Sequence, residues 1–131
     1  SINGVVILGD AELYEGSVWE SLLFIAHHNL INLQIIVDRN KMGTIGRTED
    51  LLKLEPLDEK FTSFGFDTTR IDGHDYKQLR SALNRSSKSP KVTIANTVKG
   101  KGISYMEDKY EYHVIIPKSQ ADISKALEEL S

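Results

Sequence analysis

Cysteine is missing from the 131-residue chain, which excludes disulfide frameworks, thiolate metal sites and thiol nucleophiles and leaves packing to hold the fold together. No apolar run approaches the roughly 18–20 residues that a membrane-crossing helix needs, and no charged segment followed by a long apolar one opens the chain. The expectation is a cytoplasmic protein with no membrane partner. Neither sign of charge dominates: 16 Lys and Arg stand against 19 Asp and Glu, for a formal net charge of -3. The basic residues are scattered, so there is no positive footprint for nucleic acid. Internal repeats and low-complexity stretches are also absent. What remains, 40% hydrophobic and 27% charged residues, is ordinary for one globular domain spanning 1–131. An apolar strand starts within the first five residues with no helix before it to cover a sheet. That suggests a partial domain whose upstream part lies elsewhere.

Val5–Leu8 is a short continuous run of apolar residues closed by Gly9, the pattern of a buried parallel strand. Val18, Trp19, Leu22, Leu23, Ala26 and Leu30 recur at helical spacing over Gly16–Leu30, and Leu33–Val37 is a second apolar run, so strand, helix and strand form a parallel crossover unit. Lys41–Glu55, with Gly43 and Gly46 and no clean periodicity, reads as a loop over the strand ends. Pro56 opens a helix that Gly65 stops, Phe66–Ile71 is a weaker strand, Asp75 caps a helix, and Val92–Ala95 is a fourth strand. Lys99–Pro117 is long and irregular, the kind of segment that is functional or disordered. Ser119 and Asp122 then cap a last helix with Ile123, Ala126, Leu127 and Leu130 on its apolar face. This alternation specifies an α/β fold: an open parallel sheet with helices on both faces.

In such sheets ligands bind outside the carboxyl ends of the strands, where Asp10 and Asn40 both fall. Singly, each also reads as a cap or turn residue. Together they offer a carboxylate and an amide oxygen at neighbouring strand ends, donors suited to a magnesium ion whose shell is completed by a diphosphate. Gly9 lets the chain turn closely after the strand, and the N-terminus of the Gly16 helix adds positive dipole nearby. Lys99 and Lys101 flank a glycine after a strand, either to meet a phosphate or as solvated lysines. His28 fits packing on its helix, and His74 a turn.

Gly9-Asp10-Ala11-Glu12 followed by Asn40 resembles the thiamine diphosphate motif, a GDG sequence answered almost thirty residues later by Asn, with Ala11 in the third position. More specifically, GDAELYEGSVWESLLFIAHHNLINLQIIVDRNKMGTIGRTED looks like transketolase. The likeness runs on through Ile71-Asp72-Gly73-His74 and Asn96-Thr97-Val98-Lys99-Gly100-Lys101-Gly102 to His113. The resemblance implies the thiamine diphosphate-binding fold, with thiamine diphosphate and Mg2+ (or Ca2+) as cofactors. Asp10, Asn40 and the Met42 carbonyl would ligate the metal. Gly9, Asp10, Ala11, Glu12, Asn40, Lys99 and His113 would bind the cofactor, with His113 also catalytic at the donor substrate. Glu15 and Glu20 match acidic residues toward the subunit interface that are thought to couple paired active sites, although a charged first helical turn explains them too.

The implied reaction moves a two-carbon ketol unit from a ketose phosphate to an aldose. The implied partner is a pyrimidine-domain subunit or second protomer, in a homodimer or heteromer, that carries the activating glutamate. A related thiamine enzyme such as 1-deoxyxylulose-5-phosphate synthase and a noncatalytic transketolase-like subunit stand as alternatives. On this reading Asp10→Ala abolishes metal-dependent cofactor binding and leaves the fold largely intact.

Overall fold

Four runs with branched apolar residues form one parallel sheet, β1 Gly4–Gly9, β2 Leu33–Arg39, β3 Asp67–Asp72 and β4 Lys91–Asn96, in a computed structural model that describes residues 3–131. The first two residues of the expected 1–131 domain lie outside the described residues. The strand order is β1-β2-β4-β3, every pair parallel. In register, Gly9 faces Asp38, Arg39 faces Asn96, and Asn96 faces Asp72. All four strands therefore end level, and the residues that follow them meet along one edge.

The helices are α1 Gly16–His27, α2 Thr48–Leu51, α3 Leu57–Ser63, α4 Tyr76–Asn84 and α5 Gln120–Glu129. Strand side chains alternate between faces, which splits the core in two. Ile35 and Val37 of β2 and Val92 and Ile94 of β4 pack with Leu22 of α1 and with Leu57 and Phe61 of α3. Trp19 stacks on Phe61 with ring centroids 5.8 Å apart, a pairing worth about 0.5–1.5 kcal/mol beyond the area it buries. On the other face Ile36, Ile71 and Ala95 pack with Leu79 and Ala82 of α4. The expected α/β sheet with helices on both faces is thus observed. No helix of the described residues is long and apolar enough to cross a membrane.

Several local expectations change. β1 is an edge strand, and Val5, Val6 and Ile7 are 57%, 41% and 68% exposed, so it is not the buried strand its composition predicts. Among the described residues nothing pairs with its outer edge. α1 stops at His27 rather than Leu30 because Asn29 takes a left-handed φ of 46°. The 41–55 stretch contains α2, tied to the preceding turn by the Tyr14 hydroxyl, which donates to the carbonyls of Thr48 (2.7 Å) and Leu52 (3.0 Å).

The segment after β4 is a compact loop, closed by Lys101 N–H to Val98 C=O and Asp108 N–H to Lys99 C=O. Gly100 makes this possible: at φ +74° an added Cβ would lie 2.7 Å from the Met106 carbonyl oxygen. α5 docks on this loop and not on the sheet, through Tyr105 hydroxyl to Asp122 C=O (3.0 Å) and Ser104 N–H to Glu129 (2.6 Å). Its predicted apolar face therefore buries only Ala126, and Ile123, Leu127 and Leu130 stay exposed.

Candidate functional site

After β1 the chain makes a tight 3-10 turn, Asp10–Tyr14. Gly9 sits at φ -69°, ψ 149°, a conformation any residue adopts, so the expected glycine-specific turn is not used. The Glu12 carboxylate accepts from the Gly9 N–H at 2.5 Å. Ala11, inside the turn, is not among the residues with positive φ. The methyl that replaces the usual glycine therefore introduces no backbone strain.

Asp10 points inward and is 1% exposed. Its Oδ2 accepts two hydrogen bonds, from Arg39 Nη1 (2.7 Å) and from the Lys41 N–H (2.7 Å). Oδ1 takes part in neither. The Lys41 contact ties Asp10 to the loop that carries Asn40, at the ends of the paired strands β1 and β2. The Asn40 amide is oriented from both ends: its Oδ1 accepts from the Met42 N–H at 2.9 Å, and its Nδ2 donates to Asp38 Oδ2 at 3.2 Å. Met42 is buried, and the two backbone bonds that close its loop, Gly43 N–H to Gly46 C=O and Thr48 N–H to Lys41 C=O, bypass its carbonyl.

Asp10, Asn40 and the Met42 carbonyl are hard oxygen donors on adjacent loops, a set that suits Mg2+ or Ca2+. Among the described residues no three His, Cys, Asp or Glu lie together to hold an ion. A metal here would rely on one carboxylate, neutral oxygens and the anion it accompanies.

Asp38, Asn40, His74, Thr97, Lys99 and Lys101 line a shallow basin at the ends of β2, β3 and β4. Thr97 donates its hydroxyl to Asp38. The Val98 N–H donates to His74 Nε2 at 2.8 Å, so this ring ties the turn after β3 to the loop after β4. Lys101 lies 3.4 Å from Glu107. Lys99 forms no ion pair among the described residues and lines the same basin as the Asp38 carboxylate.

Other expected residues are not gathered here. Glu15 and Glu20 are exposed at the start of α1, and the Glu15 side chain makes no cap hydrogen bond. The His28 ring packs at a tilt of 51° against Phe24, with centroids 4.3 Å apart. His113 ends an exposed 3-10 turn, Tyr110–His113, and forms no hydrogen bond or ion pair with the basin among the described residues.

Sequence reasoning missed the basic centre of the site. Arg39 is fully buried and donates to Asp10, to Thr48 Oγ1 (2.7 Å), to Glu49 (2.6 Å) and to Glu55 (3.1 Å). Arg70 extends the network to Glu55 (2.9 Å), Asp58 (2.5 Å) and Asn96 (3.2 Å). Burial opposes the Arg39 charge, but its bonds to Asp10 and Glu55 outweigh burial and raise its pKa. Burial also pushes the Glu55 carboxyl up, yet the Leu57 N–H, Arg39 and Arg70 together hold it below the usual carboxylate range. The signal was present in the sequence. Residues 35, 37 and 39 share one face of a strand, so an arginine in that series must be buried and paired.

The family model described as transketolase, thiamine diphosphate binding domain, matches residues 3–130. The chain is 42% identical over 127 residues to one of the subunits of the apulose-4-phosphate transketolase from Actinobacillus succinogenes, covering 95% of this chain and 46% of that protein. It is 37% identical over 110 residues to a 6-deoxy-6-sulfo-D-fructose transketolase subunit of a Clostridium species, covering 82% and 40%. The transketolase structure from Campylobacter jejuni superposes with a TM-score of 0.90 at 30% identity, over 98% of this chain and 20% of that one. The chain thus spans less than half the length of the curated relatives it matches.

Proposed function

The chain belongs to the transketolase family, a family of transferases, as its thiamine diphosphate-binding domain, and we propose that it serves as the diphosphate- and metal-binding part of an enzyme transferring a two-carbon ketol unit from a ketose phosphate to an aldose. The carrying observation is the Asp10 carboxylate. It is held by Arg39 and by the Lys41 N–H at the shared end of β1 and β2, beside the oriented Asn40 amide. Asp10, Asn40 and the Met42 carbonyl would ligate Mg2+ (or Ca2+). Lys99 would face the diphosphate, and Gly9, Ala11 and Glu12 would line it with backbone. Thiamine diphosphate, when bound, supplies the electron sink for carbon–carbon cleavage.

His113 is assigned to the donor-substrate side, and Glu15 and Glu20 to the contact with a second chain. That second chain, a pyrimidine-domain subunit or another protomer, would supply the activating glutamate. Two relatives are named as transketolase subunits, which favours a partner on a separate polypeptide, with this chain as part of a diphosphate-binding domain.

Calorimetric titration with thiamine diphosphate and Mg2+, with and without the pyrimidine-domain partner, tests this reading. The expected result is saturable binding that requires the divalent ion and is at least tenfold weaker in Asp10→Asn, a change of about 1.4 kcal/mol. Binding that ignores both the ion and the substitution would refute it.

A further inference from the structure

We propose that Arg39 is a positioning residue for the metal site, fixing Asp10 Oδ2 so that the carboxylate presents its other oxygen to the ion; this rests on the metal-site reading given above. Arg39 completes the face of β2 that Ile35 and Val37 devote to the core. For stability alone, apolar residues in place of both Arg39 and its buried partner Asp10 would serve as well or better, because taking charges out of water is costly even when they are paired. The side chain is nonetheless fully buried and is used on three sides, by Asp10, Glu49 and Glu55, with the Thr48 hydroxyl as a fourth acceptor.

The contacts divide by role. Arg70, which is partly exposed, already bonds Glu55 and Asp58. Among the described residues Arg39 is the only basic side chain bonded to Asp10. The Lys41 N–H reaches the same oxygen from the opposite loop, and Lys41 holds a left-handed φ of 65° there. Two donors on one oxygen block rotation of the carboxylate. Glu49 and Glu55 in turn anchor the guanidinium from behind, Nη2 to Glu49 and Nε to Glu55, so Nη1 is aimed and not merely present. A fork of this kind cannot be reproduced by a point charge. Hydrogen-bonding partners behind a metal ligand typically contribute 10–100-fold to metal affinity.

The test uses the chain assembled with its pyrimidine-domain partner at saturating thiamine diphosphate. Mn2+ is the probe, with free ion followed by paramagnetic resonance and thermal unfolding recorded in parallel. Arg39→Met is expected to weaken Mn2+ binding roughly 10–100-fold and Arg39→Lys roughly tenfold. Asp58→Asn, which breaks the outer Arg70 pair, is expected to lower the unfolding midpoint with Mn2+ affinity unchanged. Wild-type affinity in Arg39→Lys, which keeps the charge and so protects the fold, overturns the proposal even if Arg39→Met does not fold. Equal weakening by Asp58→Asn and Arg39→Met at equal loss of midpoint also overturns it, because the effect would then be general loosening. Asp10→Asn separates the two levels. If it weakens Mn2+ binding while both Arg39 variants bind as wild type, only the positioning role fails; if it has no effect, the metal-site reading fails with it.

Discussion

At the scale of single residues, the environment of Asp10 changes what its removal should do. The sequence alone reads Asp10 as a charged ligand at a strand end whose loss leaves the fold largely intact, but Asp10 is one half of a buried ion pair with Arg39. Deleting one partner of such a pair leaves the other charge uncompensated, at a cost of about 3–5 kcal/mol. Because Arg39 retains Glu49 and Glu55, Asp10→Ala is expected at the lower end of that range. Asp10→Asn, which keeps the shape and an acceptor oxygen, should lose clearly less. Urea unfolding of the two variants and the wild type checks this, and an Asp10→Ala variant as stable as wild type would show that the pair is not buried in solution.

Between elements, Glu55 is the joint. It precedes α3, caps the Leu57 N–H, and bonds Arg39 of β2 and Arg70 of β3. Its carboxyl is held below its ordinary value of 4.5, so the native state binds the proton less readily than the unfolded chain does. The resulting stabilisation is fully present above about pH 4.5 and is lost as the pH falls through the depressed native value. Denaturation midpoints measured from pH 7 to pH 3 should drop more steeply in wild type than in Glu55→Gln across that window, and the variant should be the less stable of the two at pH 7. Identical slopes would remove Glu55 from the account. Element identity was legible in the sequence where periodicity was strong. β2, β4, α1 and α4 stand close to where their apolar spacing puts them. α2 and the closed loop after β4 were not legible, because contacts with distant residues hold them and no local pattern marks them. Tyr14 to Thr48 and Tyr105 to Asp122 are such contacts.

Over the described residues as a whole, β1 and β3 form the two margins of the sheet, and β1 exposes the more apolar one. Val5, Val6 and Ile7 on β1 leave apolar surface at an edge whose backbone groups can pair with another chain. Ile7, the most exposed of the three, is the place to test this. Ile7→Thr keeps a β-branched side chain and is expected to raise the concentration at which the isolated chain self-associates. Its unfolding free energy should move by no more than about 0.5 kcal/mol, as is usual for surface changes. Sedimentation across a concentration series is the measurement, and unchanged self-association would mean that the β1 margin is not the sticky surface.

By itself the sequence determined the parallel α/β layering and the meeting of Asp10 with Asn40, because strand ends in such a sheet are fixed by where each apolar run stops. Tertiary structure alone decided that β1 is exposed, that His113 ends an exposed turn, and that Arg39 is paired with Asp10. These depend on the order β1-β2-β4-β3 and, for Arg39, on partners 10 to 29 residues away, Asp10, Glu49 and Glu55 among them. Local spacing says that an inward arginine must be paired, and only the folded chain says with what.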